Sequence, residues 1–150
     1  MSTCPASATR RRLVRWLYAA AGAHLLVGLV LTWLGDAALF EPYHRSIEAA
    51  FWGSAVPEPA RAEQIWWIAL FGATLQSYAV SFIALVYLGH TSARPAAWGG
   101  LIASIVLWAP QDMWVSLQRG IVSHLWVDSI ALLVLLPPLF WLYRHDSRAR

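Results

Sequence analysis

Asp112, His124 and Asp128 are titratable side chains set in stretches that are otherwise apolar. His124 and Asp128 are four residues apart, so on a helix they share a face, and that spacing permits an imidazole–carboxylate hydrogen bond. Gln111 adjoins Asp112, Trp108 lies one turn before it, and His24 and Gln76 stand in two further apolar runs. A carboxylate at mid-membrane depth costs about 2.5–3.5 kcal/mol on insertion scales. An interhelical hydrogen bond in a membrane returns only about 0.6 kcal/mol on average. Stability alone therefore explains Asp128 poorly, although a purely structural role for the cluster stays open.

Several chemistries fit these residue types. A metal site would need His124 and Asp128 with Asp112 or His24 as a third ligand, and one ligand pair at helical spacing is a weak signal, so no metal is expected. A haem between His24 and His124 would need equal heights, which the two histidines lack. No nucleophile elbow is present. Acid–base chemistry has suitable equipment in two carboxylates and a nearby imidazole. Proton or ion translocation would need a polar path through the other half of each span, which has almost no polar residues. No cofactor is expected.

The elements that must position these residues follow from composition. Of 150 residues, 59% are hydrophobic and only 13% are charged, about half the charge of a soluble domain. About 20 mostly apolar residues are needed to cross a bilayer as a helix. Four runs qualify, at about 13–34, 65–88, 97–117 and 121–143. They are too long and continuous for barrel strands, which alternate every second residue. The fold class is therefore all-α, an integral membrane four-helix bundle in a single transmembrane domain covering 1–150.

Every basic side chain is Arg, and Lys and Asn are both absent. Both missing residues have AT-rich codons, which points to a GC-rich bacterial genome and a bacterial inner membrane. With four spans, eight Arg (10, 11, 12, 15, 94, 144, 148 and 150) fall on one side and three (45, 61 and 119) on the other. The positive-inside rule then places both termini in the cytoplasm. The run Thr9-Arg10-Arg11-Arg12 loosely matches a twin-arginine signal, and Ala19-Ala20-Ala21 a cleavage site. The apolar run continues to Leu34, so the first span is expected to stay uncleaved. Cys4, the one cysteine, has no disulfide partner within the chain. Trp16, Trp98 and Trp141 mark the cytoplasmic ends of the spans, and Trp33, Trp66, Trp67 and Trp114 the outer ends.

At a rise of about 1.5 Å per residue, Asp128 lies roughly 12 Å in from the outer end of the fourth span. Gln111, Asp112 and His124 are at similar or shallower depth, and His24 and Gln76 reach the midplane. The polar residues of all four spans thus converge on the outer half. Pro110 removes a backbone hydrogen bond beside Gln111 and Asp112, and Pro137-Pro138 loosen the cytoplasmic end of the fourth span. Ala20, His24, Gly28 and Thr32 share a face, as do Ala69, Gly72, Ala73 and Gln76. These small-residue faces are the expected helix–helix contacts.

The 35–64 loop is long for so small a chain. Its 42–52 segment predicts a short interfacial helix in the first extracytoplasmic loop. Pro42 suits its first turn, Gly53 stops it, and Tyr43, Ile47, Ala50 and Phe51 form an apolar face opposite Arg45 and Glu48. Such a helix is either a passive interfacial element or a lid over the bundle.

The favoured reading is a binding module. A small apolar or amphipathic ligand, a lipid or quinone-like molecule, sits in an outward-facing polar pocket built from His24, Gln76, Trp108, Gln111, Asp112, His124 and Asp128. Trp108, Trp114 and Trp126 supply apolar walls. Two alternatives remain: an accessory subunit in a homo- or hetero-oligomeric membrane complex, and a membrane enzyme using the Asp/His cluster. The few N-terminal arginines fit topology and anionic headgroups rather than nucleic acid.

The segments Leu70-Phe71-Gly72-Ala73-Thr74-Leu75 and Trp108-Ala109-Pro110-Gln111-Asp112, with Ser123-His124, resemble the BphX-like group of small bacterial membrane proteins. The resemblance extends from the first span through the fourth. It implies the same size and span count, and no catalytic residues that carry over.

Overall fold

The structure, a computed structural model, describes residues 8–148. Cys4 and Arg150 lie outside the described residues. Five helices follow one another: α1 (Ala8–Leu34), α2 (Glu41–Trp52, preceded by a 3-10 turn at Ala38–Phe40), α3 (Ala60–Ser92), α4 (Pro95–Gln118) and α5 (Val122–Arg148). α1, α3, α4 and α5 are long and apolar enough to cross a membrane. Their outward surfaces are rich in exposed large apolar side chains, among them Leu26, Leu107, Val127 and Leu133. In water such a surface would drive aggregation, whereas in lipid it is solvated. The chain is a multi-pass membrane four-helix bundle, and each helix runs beyond the apolar stretch that predicts it.

Local sequence sets the breaks. Pro42 sits in the first turn of α2 and Pro95 opens α4, positions where the missing N–H is no loss. Gly53, at φ 61, ends α2. α3 ends on Ala93, held left-handed at φ 46. Arg94 is then extended, as the following proline requires. α4 runs through Pro110, and α5 runs through Pro137 and Pro138. A proline leaves the carbonyl four residues earlier without its helical donor. For Pro138 that carbonyl is Val134 O, and the Trp16 indole N–H donates to it at 3.1 Å. This bond links α1 to α5.

The helices pair unequally. α1 packs along α3, and α4 along α5, while among the spanning helices in contact α3 meets α4 less and α1 meets α5 least. The α1–α3 contact uses Gly28 and Thr32 of the first small-residue face and Ala69, Gly72 and Gln76 of the second, whereas Ala73 is exposed. A Cβ at Gly28 would lie 2.8 Å from Gly72 O, so the backbones touch there. Thr32 Oγ1 donates to Gly28 O (2.8 Å) and stands 3.3 Å from Ala69 O, and Gln76 Nε2 donates to Thr32 Oγ1 (2.9 Å) and Gly28 O (3.2 Å).

The two halves of the bundle differ. Towards the chain termini the interior is a packed apolar core of Val14, Leu17, Phe82, Val86, Trp98, Leu101, Ile105, Leu135, Leu139 and Leu142. Towards α2 the buried positions are small or polar: Gly28, Ala60, Gln64, Gly72, Ala109, Ser116 and Asp128.

The core ends in a polar network at the terminal end. Asp146, 3% exposed, accepts from Arg10 Nε (3.0 Å), Arg10 Nη2 (2.9 Å), Trp98 Nε1 (2.9 Å) and His145 Nδ1 (2.9 Å). Arg10 Nη2 also donates to Gly89 O at 3.0 Å. Gly89 has to be glycine, because a Cβ there would lie 2.6 Å from the Trp98 ring. One ion pair thus ties the ends of all four spanning helices together. Its members lie at the helix ends, beyond the apolar runs, and span spacing gave no sign of it.

Candidate functional site

The α2 end is built on a second set of polar contacts. Arg61, at the start of α3, donates from Nε and Nη2 to both oxygens of Glu48 (2.7 and 3.0 Å). Its Nη1 reaches Glu41 Oε2 at 2.6 Å, and Arg45 Nε reaches Glu41 Oε1 at 2.7 Å. The hydrogen bond from Arg61, followed by that from Arg45, lowers the Glu41 carboxyl to about 2. α2 is therefore fastened to α3 by charge.

The inward face of α2 differs from the expected one. His44 is the fully buried residue of the helix, Tyr43, Ile47 and Glu48 are half-buried, and Ala50 and Phe51 face outward. The apolar face predicted from Tyr43, Ile47, Ala50 and Phe51 is thus rotated. The reason is that Glu48 turns in to Arg61, and His44 Nε2 donates to Gly35 O at 2.8 Å. In the neutral ring Nδ1 is then an acceptor, and Gln64 Oε1 stands 3.4 Å from it. A half-turn of the Gln64 amide puts its NH2 there. The turn also gives the buried Gln64 Nε2, otherwise without a hydrogen-bond partner among the described residues, an acceptor.

Beneath α2, four side chains from three helices form one chain of hydrogen bonds. Tyr43 OH lies 3.1 Å from His124 Nε2, His124 Nδ1 lies 3.0 Å from Ser116 Oγ, and Ser116 Oγ lies 3.2 Å from Asp112 Oδ1. One tautomer satisfies all three links. With the proton on Nδ1, Tyr43 donates to Nε2, His124 donates to Ser116, and Ser116 donates to Asp112. Every donor then points from α2 into the bundle. Burial, and next the Asp112 charge, raise the Tyr43 hydroxyl above its ordinary value of 10, so it stays a donor. The Tyr43 and His124 rings are near-parallel, with centroids 6.0 Å apart. Arg119 lies over the Phe51 ring at 5.3 Å, a second contact between α2 and the α4–α5 turn.

Asp128 is not paired with His124 as their spacing permits. The imidazole is drawn instead to Ser116, across the α4–α5 hairpin, and to Tyr43, with Asp112 Oδ1 also 3.5 Å from Nδ1. Asp128 lies one turn deeper, 2% exposed, and its enclosed Oδ2 finds no hydrogen-bond partner among the described residues. Stepping one turn inward from the Ser116–His124 contact reaches Asp112 on α4 and Asp128 on α5 together, so the two carboxylates share a level.

The other sequence candidates take varied places. Gln76 is a clasp within the α1–α3 interface. His24 Nδ1 donates to Ala20 O at 2.7 Å, and its ring meets Tyr78 edge-on. The Trp16–Val134 contact puts His24 at the level of Val127 and Asp128. Gln111 is exposed and donates to Leu107 O. Trp108, Trp114 and Trp126 are 42%, 63% and 70% exposed and stand on the outer surface of the bundle. Tyr43 and Ser116 complete the hydrogen-bonded chain, and neither is marked by spacing in the sequence. No group of three or more His, Cys, Asp or Glu side chains is placed to hold a metal ion among the described residues.

No family model, curated protein or solved structure matches this chain. The reading of the site therefore rests on its geometry.

Proposed function

We propose that this protein is a small binding protein of a bacterial inner membrane. It holds an amphipathic ligand in the half of the bundle beneath α2, with Asp128 and Asp112 as polar anchors. Both termini face the cytoplasm, on the strength of eight arginines against three, so the site opens outward. The observation that carries this reading is Asp128: a carboxylate 2% exposed within a spanning helix, with one oxygen lacking a hydrogen-bond partner among the described residues. Buried polar groups are normally satisfied, and at this depth an unsatisfied carboxylate is costly. A ligand that supplies the missing bond accounts for its retention. The small and polar interior of that half supports the same reading. The test is mass spectrometry of lipids extracted from purified protein. A ligand present in wild type is lost in Asp112→Asn and Asp128→Asn, and equal occupancy in both variants sinks the proposal.

The Tyr43–His124–Ser116–Asp112 chain favours a second reading, an enzyme in which that chain moves protons to and from the bound molecule. It is told apart by turnover. Wild type would release the extracted lipid chemically changed, and Ser116→Ala would return it unchanged.

A further inference from the structure

Of the spanning helices in contact, α1 and α5 meet least, and a groove of about 410 Å³ runs along their seam. Small side chains make the gap: Ala19, Ala20 and Ala23 line it from α1 and Ala131 from α5. Ala19 and Ala23 are exposed, so the groove opens on the lipid-facing surface.

Its length and depth are those of one leaflet. On α1 it runs from Trp16 to His24, about 12 Å at helical rise. Half of the hydrocarbon core is about 15 Å. Trp16 lies near the start of the first apolar run and His24 near its middle. The groove thus reaches from head-group level at the terminal end to the midplane. Trp16 is half exposed, and its indole N–H is held by Val134 O, which fixes the ring where acyl chain and head group meet.

The head-group end is one-sided in charge. Arg12 precedes Trp16 by one turn, and Arg15 precedes Ala19 by one turn. Both arginines therefore extend the groove's own face of α1 beyond its end, and both are exposed. Arg144 and Arg148 are exposed at the end of α5. Against them the terminal ends of the spanning helices bring one carboxylate, Asp146, and Arg10 takes both its oxygens. At the α2 end, by contrast, Arg45 and Arg61 are matched by Glu41 and Glu48.

From this we infer that the α1–α5 seam binds an anionic phospholipid of the leaflet at the terminal end. One acyl chain lies in the groove from Trp16 to His24, and the phosphate accepts hydrogen bonds from Arg12 and Arg15. A zwitterionic lipid can fill the same groove, but its ammonium meets the arginines with like charge. This site is separate from the one beneath α2 and stands without it.

The test titrates delipidated full-length protein in detergent with dioleoylphosphatidylglycerol and dioleoylphosphatidylcholine, and reads bound lipid by native mass spectrometry. Wild type should hold one phosphatidylglycerol about tenfold more tightly than phosphatidylcholine. Arg12→Gln with Arg15→Gln should make the two lipids equal. Ala23→Trp, at an exposed position, fills the groove without touching the core or the charge, and should remove the tight phosphatidylglycerol. Dibutanoylphosphatidylglycerol, with the same head and chains too short for the groove, should bind wild type at least about tenfold more weakly than the dioleoyl lipid. Equal affinity of wild type for the two dioleoyl lipids, or a preference that survives loss of both arginines, overturns the anionic head. Short-chain lipid bound as tightly as the dioleoyl form, or phosphatidylglycerol binding unchanged in Ala23→Trp, overturns the groove and leaves only a surface attraction to the arginines.

Discussion

At the residue scale, the polar chemistry beneath α2 turns on which partner each side chain finds. His124 has Asp128 four residues ahead, and helical spacing makes that pair the obvious one. The hairpin offers a better-placed acceptor in Ser116 Oγ at 3.0 Å, while α2 brings the Tyr43 hydroxyl to the other ring nitrogen. Both partners depend on how three helices meet, which no local spacing in the sequence records. The relative levels of Asp112, His124 and Asp128 along their helices follow from counting residues within single apolar runs. Ser116 is the link on which the chain depends. Ser116→Ala removes the acceptor of His124 Nδ1–H and a donor to Asp112 at once. The imidazole and carboxylate, already 3.5 Å apart, can close part of the gap. The expected loss in thermal unfolding measurements is about 1 kcal/mol. A loss near zero would mean that the serine bridges nothing.

At the element scale, α2 was legible as a helix because Pro42 and Gly53 bracket it. Its orientation was not, because the residues that turn it inward are polar. His44 is buried against Gly35, and Glu48 and Glu41 are held by Arg61, which lies 13 and 20 residues further along the chain. This docking is sensitive to acid in a defined window. Glu41 titrates at about 2 in the folded protein, below its ordinary 4.5. A lowered folded pKa means that the carboxylate stabilises fully above 4.5 and that this contribution is lost as pH falls from 4.5 through about 2. Hydrogen exchange in α2 should therefore speed up over that window in wild type. In Glu41→Gln it should already be faster at neutral pH, with a flatter acid response. An identical pH profile in the two proteins would show that Glu41 does not hold the helix.

At the scale of the whole molecule, the spanning helices follow from four apolar runs, and the α1–α3 contact from small residues at four-residue spacing. The lock at the terminal end was hidden because Arg10 and Asp146 are 136 residues apart and each lies outside its apolar run. Breaking a buried pair on one side leaves an uncompensated charge and costs about 3–5 kcal/mol. Asp146→Asn removes the carboxylate that Arg10 faces and should lower the midpoint of thermal unfolding sharply. The paired change Arg10→Met with Asp146→Leu should recover only part of the loss, because the buried Trp98 Nε1–H then lacks its acceptor, and a double variant as unstable as the single would contradict this account of the lock. The two ends of the bundle thus differ in kind. One is packed with large apolar side chains and closed by a satisfied ion pair. The other is small, polar and incompletely satisfied.

The central claim is that Asp128 is kept for a ligand at a cost to stability. Thermal unfolding of Asp128→Asn beside wild type, in the same detergent and after removal of bound lipid, tests it most directly. Asparagine keeps the shape and removes the charge. The account predicts a variant as stable as wild type or more stable. A markedly less stable variant would contradict it and place Asp128 among the residues that hold the bundle together.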